Sequence, residues 1–129
     1  MDRRFITSAP GISAAPSPIS QAVVAGNHCY ISGQLAVDAG GVFRGGTAAE
    51  EAALAFRNVF AAAAAAGFRA DEIVFVDIAF LDLADLPVVN ELYASLFPES
   101  RRPARTIHQA AALPYGGRVK VQAVAVRDS

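Results

Sequence analysis

Apolar positions along this chain switch between a period of two and a helical period, and the switches mark out the elements. Residues 20–25 and 29–35 are short apolar runs separated by Gly26-Asn27-His28, a hairpin signal because Gly-Asn tolerates the backbone of a tight turn. Thr47-Ala48-Ala49-Glu50 has capping-box spacing and opens a helix that runs to about Ala66 and stops at Gly67. Leu54, Phe56, Val59 and Phe60 supply its bulkier apolar face, and the alanines at 61–66 predict close approach of helix to sheet. Residues 73–81 form the strongest strand. A second helix starts at Asp85-Leu86-Pro87, carries Val88, Leu92 and Leu96 with Val89 and Tyr93 beside them, and is closed by Pro98. Residues 104–111 and 119–126 are the last strands, joined through Leu113-Pro114-Tyr115-Gly116-Gly117, and 8–18 reads as an irregular surface arm. The order is β-β-α-β-α-β-β. This predicts an α+β fold, a mixed β-sheet with two helices on one face.

The 73–81 strand carries an expectation about assembly. Simple alternation sends Val74, Val76, Ile78 and Phe80 one way and Ile73, Phe75, Ala79 and Leu81 the other, so both faces need cover. Two helices cover one face only. The other calls for a second subunit.

Composition narrows the class. A length of 129 residues suits one domain, 1–129. With 11 basic and 12 acidic residues the net charge is −1, so no field draws in nucleic acid, and the cluster of Arg101, Arg102 and Arg105 reads as a loop rather than a polyanion patch. Cys29 is the only cysteine, which excludes an internal disulfide and fits a reducing compartment. The charged start lacks a following apolar core, and the alanine run is too small a payload for a bilayer. A soluble, cytoplasmic protein with no membrane partner is expected. Two histidines and one cysteine at unrelated spacings give no metal site, and no phosphate loop or dinucleotide motif implies a cofactor.

Arg105, in Arg101-Arg102-Pro103-Ala104-Arg105-Thr106, is the best candidate for chemistry. An arginine that opens a β-branched strand just after a proline is held on a rigid sheet, and its planar fork of donors suits a carboxylate. The bland alternative is a surface arginine on a strand edge. His28, in a turn, is expected to be exposed; His108 points away from Arg105 by the period of two; Cys29 is a packed thiol with no positive neighbour in sequence.

This segment, with Leu113-Pro114, the run from Val119 to Val126, Ser20-Gln21-Ala22-Val23 and Ile31-Ser32-Gly33-Gln34, resembles the YjgF/Rid (reactive intermediate deaminase) family from about Ala9 to Arg127. The resemblance implies a chorismate-mutase-like homotrimer with clefts between neighbouring subunits. It implies that Arg105 grips the carboxylate of an enamine or imine acid as the catalytic and substrate-binding residue, with the backbone of Gly33 lining the same cleft; Gly33 also suits a bulge or close strand approach. Asn90 matches a family position expected to brace structure. The chain departs from the pattern at three cleft positions. Ile19 stands for a tyrosine, Ile107 for a cysteine, and Lys120 for the glutamate that positions the attacking water. An ammonium cannot accept a proton, and Lys120 instead suggests a cationic anchor for a second negative charge on the ligand, unless a carboxylate such as Asp77 neutralises it; the plain alternative is a lysine whose ammonium reaches out to solvent.

Three functions follow as expectations. The first is hydrolytic deamination of unstable enamine or imine carboxylic acids to a keto acid and ammonia in an inter-subunit cleft. The second is non-catalytic binding of small carboxylate metabolites by the trimer, and the third, a ribonuclease or translation inhibitor, is opposed by the near-neutral charge.

Overall fold

The computed structural model describes residues 2–9, 11–12 and 16–128, so part of the 8–18 arm lies outside the described residues. Six strands, β1 (Arg3–Ile6), β2 (Ala22–Ala25), β3 (His28–Gln34), β4 (Ile73–Phe80), β5 (Ala104–Gln109) and β6 (Val119–Val126), form one sheet in the order β1-β2-β3-β6-β4-β5. All neighbours run antiparallel except β4 and β5, which are parallel and joined through α2 (Leu86–Leu96). The helix α1 (Ala48–Ala65) packs across β3 and β6 and against α2. The fold is α+β, with a mixed sheet and two helices, as the pattern predicts.

Local chemistry sets the ends of α1. Thr47 Oγ1 accepts from the Glu50 amide at 3.1 Å, and the Glu50 carboxylate accepts from the Thr47 amide at 2.9 Å, a closed capping box that contributes about 1 kcal/mol. Gly67 ends the helix at φ 86°, which a residue with a Cβ adopts only with strain. Between them Ala52, Ala55, Ala62 and Ala63 are fully buried, so the helix backbone lies close on the sheet while Phe56 and Val59 fill the remaining space.

The structure corrects three expectations. An additional edge strand, β1, pairs with β2 from Arg3 opposite Ala25 to Ile6 opposite Ala22. Its four residues are mostly exposed and show no alternation, which is why periodicity passes over it. In β4 the register with β6 slips between Ile73 and Phe75, leaving Val74 as a bulge 46% exposed. The extra residue reverses the alternation before it, so Ile73 joins Val76, Ile78 and Phe80 under the helices, while Phe75, Asp77 and Ala79 share the other face. In α2 the buried line is Val89, Tyr93 and then Phe97 rather than Val88, Leu92 and Leu96. Both lines have helical spacing. The aromatic line wins because Tyr93 and Phe97 pack on each other at 4.7 Å and on Phe56 at 5.8 and 6.0 Å.

The helix-free face has its own pattern. Directly paired residues set Phe5, Val23, Tyr30, Val124, Phe75 and Ala104 in a row across all six strands, all apolar or aromatic. Phe5 is 62% exposed and Tyr30 51%. Asp77, Thr106 and Gln122 make a polar row beside it.

Candidate functional site

Two hollows contain the candidate residues, one with Lys120 and one with Arg105, and these two residues lie on opposite faces of the sheet. The first begins at a bulge in β3. Pairing with β6 is irregular between Ile31 and Gln34, and the Ser32 hydroxyl donates to the Ser20 carbonyl at 2.7 Å across the kink. A Cβ placed on Gly33 would come within 3.0 Å of Lys120 Cδ and 3.4 Å of Cε, so the lysine stem lies directly across the glycine backbone. Bulge and close approach therefore coexist at Gly33. Together with Ile19, Asp38, Asn58 and Tyr115, these two residues line a concavity of about 460 Å³.

Buried polar side chains on α1 frame this concavity. Asn58 donates to the carbonyls of Leu35 (3.0 Å) and Val37 (2.7 Å), pinning the chain just after β3. Glu51 accepts from the amides of Arg118 (2.8 Å) and Gly46 (3.3 Å), tying the start of β6 to the segment that leads into α1; the Arg118 guanidinium lies 3.9 Å away. Tyr115 sits at φ 63°, a strained conformation for an aromatic residue, and its ring stacks on Phe43 at 5.4 Å. None of Phe43, Glu51, Asn58 and Tyr115 was singled out from the sequence as a site-shaping residue. For Glu51 and Asn58 a signal existed: they share a helix face with Ala55 and Ala62, where a polar residue must find a buried partner.

Arg105 occupies the second hollow, about 340 Å³, at the β5 edge beneath α2. Its Nη1 donates to Asn90 Oδ1 at 2.9 Å, and its guanidinium carbon lies 4.7 Å from the centroid of the Tyr93 ring. Burial pushes the Tyr93 phenol up from its ordinary value, an effect that Arg105 and Arg102 oppose. Among the described residues Arg105 has no acidic partner, so most of its donor fork remains available. Asn90 thus does brace structure, and what it braces is this arginine.

Cross-strand pairing keeps the two hollows apart. Arg105 pairs with Val76 and Ile107 with Ile78, on the helix-covered face, where Ile107 packs against the core. Lys120 pairs with Ala79, on the opposite face. One chain therefore brings Gly33, Lys120 and Ile19 together, and separately Arg105 and Ile107, but does not join the two sets. Asp77 does not neutralise Lys120: it accepts a hydrogen bond from Thr106 and lies 3.6 Å from His108 Nδ1. His108 does point away from Arg105. His28 begins β3, half-buried, with Nδ1 2.8 Å from Asn27 Oδ1. Cys29 is fully buried, and that burial pushes its thiol up to about 11, so it is packed and unreactive.

Comparison with known proteins places this geometry in context. The family model described as Endoribonuclease L-PSP matches residues 9–127. The 2-iminobutanoate/2-iminopropanoate deaminase of Bos taurus is 42% identical over 125 residues, 96% of this chain and 90% of that protein. The human protein of the same name is 39% identical over 126 residues, 97% of this chain and 90% of that one. The crystal structure of RidA from the Antarctic bacterium Psychrobacter sp. PAMC 21119, 35% identical, superposes with a TM-score of 0.89 over 96% of this chain and all of the other.

Proposed function

The chain belongs to the YjgF/Rid family, and from that premise we propose that it hydrolyses 2-imino acids, with their enamine tautomers, to a 2-keto acid and ammonia. The observation that carries this reading is Arg105: a guanidinium fixed by Asn90 and Tyr93 at a strand edge, with donors left over for a carboxylate. Curated relatives that act on 2-iminobutanoate and 2-iminopropanoate, both short imino acids with one carboxylate, support the substrate class.

In this reading Arg105 takes the carboxylate through two parallel charge-assisted hydrogen bonds, which orients the adjacent imine carbon. Water adds to that carbon, a proton reaches the nitrogen, and the carbinolamine expels ammonia to leave the keto acid. Lys120 stands where the resemblance puts a glutamate, so catalysis here rests on orienting a reactive imine rather than on a protein carboxylate as base. Residues from both hollows are needed for one site, and they meet only if a second copy presents its concavity to this copy's Arg105. The exposed row from Phe5 to Ala104 supports a homotrimer as the assembly that achieves this. Among the described residues no helix is long and apolar enough to cross a membrane, and a cytoplasmic location is proposed on the single buried thiol.

The test generates 2-iminobutanoate in place from 2-aminobutyrate with an amino-acid oxidase and follows its capture by semicarbazide. The wild-type protein should deplete the trapped product, and Arg105→Ala should not. A second reading, a trimeric binder of carboxylates without catalysis, is favoured by Lys120; it would be supported by tight binding of keto acids with no effect on imine lifetime. The ribonuclease label of the family model finds no support in a net charge of −1.

A further inference from the structure

We infer that Lys120 anchors a second carboxylate of the bound acid, so that this site favours diacids over monoacids. The inference deepens the deaminase reading by naming a substrate class, and it rests on the charge balance of the concavity above Gly33. Two charged side chains line that concavity, Asp38 and Lys120. Asp38 is already engaged. Its Oδ1 accepts from the amides of Gly40 (2.9 Å) and Val42 (3.0 Å), its Oδ2 from Arg44 Nε (2.7 Å), and these contacts hold its carboxyl below the ordinary carboxylate range. Lys120 has no hydrogen bond or ion pair among the described residues. The unbalanced charge of the concavity is positive.

Three further features suit an anion there. The Lys120 stem is supported along Gly33, so fewer rotamers remain to be lost when a ligand binds. Ile19 and Tyr115, each about half exposed, add apolar surface to the lining, and a charge pair formed against apolar surface is screened less than one in open water. Finally, a concavity of about 460 Å³ lies in the range that accommodates drug-sized ligands, which leaves room beyond a four-carbon imino acid for a chain ending in a second carboxylate. Arg105 of a neighbouring copy would hold the carboxylate next to the imine, and Lys120 the distal one.

The experiment separates this inference from the deaminase reading by measuring binding and turnover independently. Calorimetric titration of the protein as assembled in solution with 2-oxobutanoate and 2-oxoglutarate compares stable monoacid and diacid analogues. Wild type should bind the diacid about tenfold more tightly or better; Lys120→Gln should bring that ratio close to one, and Lys120→Arg, which keeps the charge, should retain most of it. A wild-type ratio near one, or a ratio unchanged in Lys120→Gln, overturns the inference and makes Lys120 a solvent-directed lysine. If Lys120→Gln does not fold, the wild-type ratio and its survival in Lys120→Arg decide the matter. Turnover of 2-iminobutanoate and 2-iminoglutarate is measured alongside. A protein that prefers the diacid yet hydrolyses neither imine keeps the second anchor and loses the deaminase reading; one that hydrolyses both with no diacid preference does the reverse.

Discussion

Both faces of the sheet carry apolar side chains, and they differ in how those side chains are used. Under the helices, Ile73, Val76, Ile78, Phe80, Val119, Val121, Ala123 and Ala125 are all buried, and the alanines of α1 let the helix settle onto them. On the other face, Phe5, Val23, Tyr30, Val124, Phe75 and Ala104 form an apolar row in which Phe5 and Tyr30 are more than half exposed. Burial of each large apolar side chain stabilises by roughly 1.5–3 kcal/mol, so such a row is a liability in a monomer and an interface in an oligomer. The candidate site residues divide in the same way: Arg105 belongs to the covered face, Lys120 to the open one. A site that needs both is a site between copies.

The sharpest way to break this comparison is to place the same charge on each face of β6. Val121→Asp buries a carboxylate with no partner among Ile78, Phe80 and the helix, a cost of several kcal/mol that should abolish folding. Val124→Asp, three residues on, sits on the open row and should leave a folded chain that does not form the proposed trimer. Circular dichroism and light scattering after size exclusion read the two outcomes. Trimers from Val124→Asp would show that the row is not the interface.

Arg105 tests the division of labour between the faces. Arg105→Ala should lower affinity for keto-acid analogues by roughly 1.5–3 kcal/mol, a factor on the order of 10 to 150, with the assembly unchanged. Arg105→Lys should recover only part, because an ammonium cannot present two parallel donors. Titration calorimetry with 2-oxobutanoate measures both, and equal affinity in the alanine variant would move the carboxylate elsewhere.

Why did the sequence reveal some of this and hide the rest? Thr47-Ala48-Ala49-Glu50, Gly67 and the strand-opening Arg105 are local signals, legible because their chemistry acts within a few residues. The presence of apolar side chains on both faces of β4 was legible too, although the inventory of each face was wrong by the bulge at Val74. A bulge is one unpaired residue and leaves no trace in an apolar run. Arg105 and Lys120 were expected in one cleft between subunits, and nothing local in the sequence told that within one chain they fall on opposite faces. Alternation assigns faces within a strand, but β4 lies between β5 and β6, and only the register across it relates the two residues. Glu51 and Asn58 were passed over because their partners are backbone groups far along the chain, at Arg118, Gly46, Leu35 and Val37.

Cys29 offers a smaller probe confined to the covered face. Burial raises its thiol from 9.0 to about 11, against the opposing charges of Arg4 and Arg127. A group whose pKa rises on folding contributes stability that is complete below its unfolded value and is lost as pH climbs through the folded one. Between pH 9 and 11 the protein should therefore lose on the order of 2 kcal/mol that Cys29→Ala, lacking the thiol, does not lose. Thermal unfolding of both proteins across that interval isolates the difference from other alkaline titrations. Parallel curves would mean that the thiol titrates as it does in the unfolded chain.

Asn90 refines the Arg105 argument with the smallest expected effect. Its side-chain oxygen accepts the one hydrogen bond found for Arg105 among the described residues, and the Tyr93 ring supports the guanidinium from a second direction. Removing the amide in Asn90→Ala leaves the charge in place but frees one end of the fork. The loss in keto-acid affinity should then be about 1 kcal/mol, in line with the net worth of a single hydrogen bond and well short of the loss in Arg105→Ala. Combining the two changes separates bracing from direct contact. If Asn90 acts only by holding Arg105, the double variant should bind no more weakly than Arg105→Ala alone. A further loss in the double variant would mean that Asn90 touches the ligand itself.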